Sequence, residues 1–221
     1  MKRNLLREID EHFSRNFEEY TSYAQLNLED TRVRSFKMKK VLEVGCGARF
    51  TFVSAQYKYA IDTNIRLLKE LKRRNPDINL IKADVRYLPF KHSSFDIVVA
   101  VFLLHHLVGE TTTISQSNIV TGLCEMAHLL NREGKILVLE HIARNRLVSH
   151  LFFYITWIFA KLGIDIKYFD IHDKVVTYFM DEKSFEGIIT NLDLNSQVLS
   201  SKHWQFRKIL LGKDNLFLIT S

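Results

Sequence analysis

Proline and glycine are scarce: two prolines and eight glycines in 221 residues leave no stretch with the composition of a long flexible linker. Neither an internal repeat nor a low-complexity segment is present, and a chain of this length that is 47% hydrophobic is expected to bury one sizeable core as a single domain. Cysteine is nearly absent as well. Cys46 and Cys124 lie far apart without CxxC spacing, which excludes a disulfide framework and a cysteine-built zinc site; no metal is expected. A reducing compartment suits such a chain, so the cytoplasm is its expected location. No apolar leader follows Met1, Lys2, Arg3 and Asn4, so no secretory signal is expected. The longest apolar run, residues 151–160, is about half the roughly 20 residues that a spanning helix needs. A dominant charge of one sign is also missing. Lys and Arg exceed Asp and Glu by 31 to 25, and the excess is spread over the N-terminal arm, residues 66–74 and the C-terminal stretch. That distribution fits a solvated surface better than a nucleic-acid groove, and it could equally draw an acidic substrate or an anionic membrane surface.

What the chain does have is an alternation of short apolar runs and amphipathic segments. Leu5, Ile9, Phe13 and Phe17 recur every four residues and predict a helix with one buried face. Residues 39–44 read as a strand entering a glycine turn, and residues 58–61 as a second strand ending at Asp62, with room between for a short helix. Residues 64–74 have helical spacing closed by Asn75-Pro76, and residues 78–83 read as a third strand. The β-branched run at residues 95–101 predicts a central parallel strand covered on both faces. A helix over 118–130, a turn at 131–134 and a strand over 135–140 follow, and residues 216–220 predict a terminal strand. Strands and helices in this order indicate an α/β, Rossmann-like sheet, mostly parallel, with helices on both faces. The domain divides into an N-terminal helical arm (1–38), a core (39–141), an inserted aromatic helix that is a lid candidate (142–180), and a C-terminal helix with strands (181–221).

Ligands of such sheets sit beyond the carboxyl ends of the strands, where strand order reverses. Three strand ends supply suitable groups. Glu43-Val44-Gly45-Cys46-Gly47 lets a ligand approach the backbone, Asp62 can accept from two ribose hydroxyls, and Asp84 can accept an exocyclic adenine amine. With residues 41–47, 59–62, 83–90, 94–99, 102–107 and 130–137 in this order, the chain resembles the class I S-adenosylmethionine-dependent methyltransferases, in particular their small-molecule and quinone-type (methyltransferase type 11) subgroup, over roughly residues 40–141. The resemblance implies a seven-stranded sheet and S-adenosylmethionine as cofactor. It implies that Gly45, Cys46 and Gly47 face the methionine portion, with Glu43 orienting its amino group. Asp62 would then bind the ribose, Asp84 and the Val85 amide the adenine, and the backbone near Val101 the amino-acid end. The sequence departs from the family where Arg49 replaces a third glycine and where only 14 residues separate Gly47 from Asp62.

A nicotinamide dehydrogenase wants a glycine at position 50, where Phe50 stands, and a P-loop wants a Gly-Lys-Ser/Thr that is absent. No Asn-Pro-Pro-Tyr or Asp-Pro-Pro-Tyr segment follows the fourth strand, so a base amine of a nucleic acid is not the expected target, and the expected partner is a small-molecule or lipid-like acceptor. A nucleic-acid or protein methyltransferase and a noncatalytic cofactor-binding scaffold are the alternatives. His105, His106 and His141 lie just past strand ends, where one could act as a base or all could simply cap and pack. The aromatic helix near residues 147–162 reads as core, as a lid over an apolar substrate, or as a peripheral contact with a membrane. Tyr20 and Tyr23 could close over the cofactor or pack, and Asp170, His172 and Asp173 read as a solvated loop.

Overall fold

Residues 40–44 alternate their side chains between two covered faces, which is why an unbroken apolar segment can be a strand here. In the computed structural model, which describes residues 39–51, 55–163, 175–206 and 209–220, they form β1 (Lys40–Val44). It is followed by β2 (Tyr57–Asp62), α1 (Ile65–Arg74), β3 (Asn79–Lys82), β4 (Phe95–Val101), a 3-10 turn (Leu104–His106) and α2 (Thr112–His128). Then come β5 (Leu130–Ala143), α3 (Arg146–Leu162), α4 (Glu182–Asn191), β6 (Asn195–Phe206) and β7 (Ile209–Thr220). The described strands make one seven-stranded sheet of order β3-β2-β1-β4-β5-β7-β6. Pairing is parallel from β3 through β5, while β7 runs antiparallel to both β5 and β6. The chain winds outward from β1 to β3 and then returns to β4 on the other side, so strand order reverses between β1 and β4 and a crevice opens at their carboxyl ends.

Leu42, Val44, Val98 and Ala100 face one apolar layer, with Ile119, Leu123 and Met126 of α2, Phe153 of α3 and Phe185 of α4. Val41, Ile97 and Val99 face the other, with Leu68 and Leu71 of α1. Local chemistry fixes where the helices start. Asn64, Thr111, Asn145 and Asp181 each accept a hydrogen bond from a backbone N–H in the first turn of α1, α2, α3 and α4 respectively. At its far end α3 stops on Gly163, whose φ of +65° is left-handed.

Several expectations change. α2 begins six residues before position 118, because Thr111 caps a polar first turn that carries little apolar periodicity. Residues 131–134 do not precede the fifth strand but lie within it: pairing passes from Phe95↔Leu130 to Ile97↔Lys135, and the surplus residues bulge outward. Asn131 anchors the bulge by donating its side-chain amide to Asp96, whose other oxygen accepts the Lys39 and Lys40 amides. The terminal strand is twelve residues long, since it pairs along both β5 and β6. No helix occupies residues 48–51 or 55–56 between β1 and β2. The helix proposed around Leu5 to Phe17, Tyr20, Tyr23, and the loop with Asp170, His172 and Asp173 lie outside the described residues.

Candidate active site

β1 runs into a turn that depends on glycine. Gly45 and Gly47 hold φ values of +64° and +58°, a region that side chains rarely tolerate, and a Cβ on Gly45 would lie 2.5 Å from Leu103 Cδ1. Space beside Gly47 is open. Between them Cys46 donates its N–H to Ile61 O at 3.0 Å and packs its side chain into the apolar layer of Val41 and Leu68. Burial pushes its thiol well above the ordinary range, so Cys46 contributes a backbone position and not a reactive sulfur.

Asp62 closes the turn from the end of β2. One carboxylate oxygen accepts the Gly47 N–H at 2.8 Å and the other the Asn64 N–H at 2.8 Å, so the same group shapes the glycine loop and the start of α1. Glu43, on β1, is buried and accepts from the Thr51 N–H at 2.6 Å and the Thr51 hydroxyl at 2.9 Å. Burial pushes its pKa up to about 7, against the opposing effect of the Thr51 hydrogen bonds and of the Arg49 charge. Arg49, which replaces the third glycine, thus adds positive potential to this carboxyl. Asp84 follows β3 and is gripped by Arg86, with Nη2 2.5 Å from Oδ2 and Nε 3.0 Å from Oδ1. Burial works against the charge of Asp84, but the Arg86 bonds and charge hold its carboxyl below the usual range. The adjoining Val85 is buried where α2 comes close: a Cβ on Gly122 would sit 3.4 Å from Val85 Cγ1. Val101 ends β4 beside Leu139, and the next residue, Phe102, takes a left-handed φ of +50°.

The three histidines converge at one edge of the site. His105 and His106 lie past the end of β4, but His141 lies within β5, which runs on to Ala143 by pairing with β7, and so is not past a strand end as the sequence suggested. His105 and His106 have ring centroids 4.0 Å apart, and His105 and His141 5.0 Å apart. His105 and His141 are each backed by a buried acid. His105 Nδ1 lies 2.5 Å from Glu140 Oε1, and His141 Nδ1 lies 2.6 Å from Asp214 Oδ1. Glu140 also accepts the amides of Leu104 at 2.7 Å and His141 at 2.8 Å. Burial raises its pKa, yet the His105 charge and hydrogen bond, helped by His141, outweigh that and hold it below the ordinary carboxyl value. A carboxylate can only accept, so His105 donates its Nδ1 proton and Nε2 is the nitrogen left for chemistry. Phe102 stacks on His141 at 4.3 Å, and Phe179 lies 5.2 Å from His105 and 5.4 Å from His141.

Sequence reasoning found the histidines but missed Glu140, Asp214, Thr51, Phe102 and Phe179. Glu140 carried a signal: an acid inside an apolar strand, next to His141, needs a partner. Asp214 carried none, because it meets His141 through β5–β7 register across 73 residues.

Comparisons with known proteins bear on the family and the fold. The profile of the methyltransferase domain family matches residues 42–138. An uncharacterized protein of Methanocaldococcus jannaschii is 27% identical over 168 residues, which cover 74% of this chain and 67% of that one. Demethylmenaquinone methyltransferase of Renibacterium salmoninarum is 37% identical over 81 residues, covering 37% of this chain and only 30% of that enzyme. A solved S-adenosylmethionine-dependent methyltransferase of Methanosarcina mazei superposes with a TM-score of 0.65 at 14% identity, over 87% of this chain and 98% of that one. Residues 42–138 thus match the methyltransferase domain family, and the sheet has the fold of solved S-adenosylmethionine-dependent methyltransferases.

Proposed function

We propose that this enzyme methylates a small-molecule or lipid-like acceptor, and that a histidine backed by a buried carboxylate takes the acceptor's proton. The cofactor assignment fits the strand ends. Gly47 leaves the turn open to a ligand, and Glu43 offers a buried carboxyl whose two oxygens each hold one Thr51 donor, with acceptor capacity to spare for an ammonium. Asp62, at the end of β2, would take the ribose hydroxyls. Asp84 and Val85 would meet the adenine, with Arg86 sharing the Asp84 carboxylate. Val101 lies at the carboxyl end of β4, beside β1, where an amino-acid end would lie.

S-adenosylmethionine supplies a methyl group on an activated sulfonium, so the protein's work is alignment plus removal of any acceptor proton. His141 is the preferred base. Its ring is partly exposed, with 21% of the side chain accessible, and Asp214 holds Nδ1, which leaves Nε2 as the proton acceptor. As the ring gains charge, Asp214 stabilises it. His105 and Glu140 form a second, more deeply buried pair that fixes the turn after β4. Phe102 and Phe179 keep water from these rings and offer an acceptor apolar surface.

The two histidine–carboxylate pairs at one strand edge carry the proposal, since a purely structural turn has no need of both. Its test is transfer of label from methyl-labelled S-adenosylmethionine into fractionated cell extract. Label is expected in small or solvent-extractable products, with His141→Asn lowering the rate by about 10²-fold or more. Label in the protein or nucleic-acid fraction, or an unchanged rate in the combined His105→Asn, His141→Asn variant, would overturn the proposal, and absence of any transfer would favour a cofactor-binding scaffold.

A further inference from the structure

The face of α3 that points away from the sheet is apolar. Leu147, Leu151, Tyr154, Ile158 and Leu162 follow one another at spacings of four, three, four and four residues, and each is between 45% and 75% exposed. At 3.6 residues per turn these five side chains form a single stripe, about 22 Å long at a rise of about 1.5 Å per residue. The opposite face, with Ser149, Phe153 and Thr156, is the buried one. A contiguous exposed stripe of this kind marks a contact surface.

Charge decides which contact. No aspartate or glutamate occurs in α3, Arg146 and Lys161 stand at its two ends, His150 lies beside the stripe, and Arg144 just precedes the helix. Lys161 Nζ sits 3.6 Å over the Trp157 ring, which sets a cation and an aromatic ring together at the margin of the stripe near its C-terminal end. Tyr and Trp with flanking cations at the margin of an apolar helix face suit the headgroup level of a bilayer, where rings lie among the acyl boundary and cations meet phosphates. Among the described residues no helix is long and apolar enough to cross a membrane, so the helix would lie along the surface.

We propose that the outer face of α3 docks the enzyme flat onto an anionic phospholipid surface. The inner side of the same helix reaches the histidines: Phe152 lies 5.7 Å from Phe179, which touches His105 and His141. A helix lying in the interface thus gives a lipid-like acceptor a short apolar path to the base, although docking stands or falls apart from the acceptor reading.

Co-sedimentation of the full chain with phosphatidylcholine vesicles, and with vesicles that also contain phosphatidylglycerol, tests this. The anionic vesicles should bind at least tenfold more tightly, with affinity falling as salt rises. Leu151→Glu with Ile158→Glu should weaken that binding tenfold or more while S-adenosylhomocysteine binding and Tm stay unchanged. Four results would each overturn the proposal: no binding to anionic vesicles, undiminished binding by the double variant, a Tm loss typical of a core substitution, or a wild-type dimer that the variant turns into a monomer. The S-adenosylhomocysteine signal separates loss of docking from loss of the cofactor site.

Discussion

Replacing Glu43 with Gln should make the ligand-free protein more stable at alkaline pH, although it touches the centre of the cofactor loop. The folded protein raises this carboxyl from 4.5 to about 7, so it keeps a proton that the unfolded chain releases. The stability gained from that proton is fully present below 4.5 and is lost as pH rises through about 7. The interval corresponds, at about 1.4 kcal/mol per pH unit, to about 3 kcal/mol. Glutamine removes the titration without removing the contacts. Its carbonyl accepts from the Thr51 N–H and its amide donates to the Thr51 hydroxyl, replacing the bonds now made at 2.6 and 2.9 Å. Thermal unfolding between pH 5 and 8.5 is the assay. In a chain of this size the wild type should lose on the order of 5–10 °C relative to Glu43→Gln as pH rises through that window. Parallel curves for the two proteins, or a less stable variant at pH 8.5, would refute the burial argument.

Three further outcomes follow from other parts of the molecule. Gly45→Ala, which forces a side chain into a left-handed turn and against Leu103, should cost about 1–3 kcal/mol in denaturant unfolding and weaken cofactor binding; a neutral result would show that the turn tolerates a Cβ. Once an acceptor is in hand, Asp214→Asn should lower kcat and alter the pH–rate profile with little change in KM, because Asp214 acts through His141; a uniform loss of folded protein would mark it as structural. Phe153→Ala empties a fully buried position on the inner face of α3 and should cost about 3–5 kcal/mol, whereas Leu147→Ala on the outer stripe should stay within about 0.5 kcal/mol.

The parts of the fold that sequence reasoning reached are those governed by local chemistry. β4 was visible because Phe95 to Val101 is almost entirely apolar and β-branched, and α1 because Asn64 caps a run that ends at Asn75-Pro76. The strand ends bearing Gly45, Asp62 and Asp84 were visible for the same reason, as a glycine or an acid following each run. What was hidden depends on distant partners. Asp214 looks like an ordinary polar residue until β7 sets it beside His141, and residues 131–134 look like a plain turn until the Asp96–Asn131 contact makes them a bulge within β5. Thr51 was hidden in another way, because its role lies in neutralising the hydrogen-bonding demand of a Glu43 whose burial no local pattern announces.

Isothermal titration of the wild type and of Asp62→Ala with S-adenosylhomocysteine at pH 8 tests the central claim most directly. Asp62 joins the glycine turn to the start of α1 through two bonds of 2.8 Å, so the account predicts saturable binding by the wild type and a loss of at least tenfold in the variant. No heat of binding with the wild type, or full-strength binding by Asp62→Ala, would contradict it.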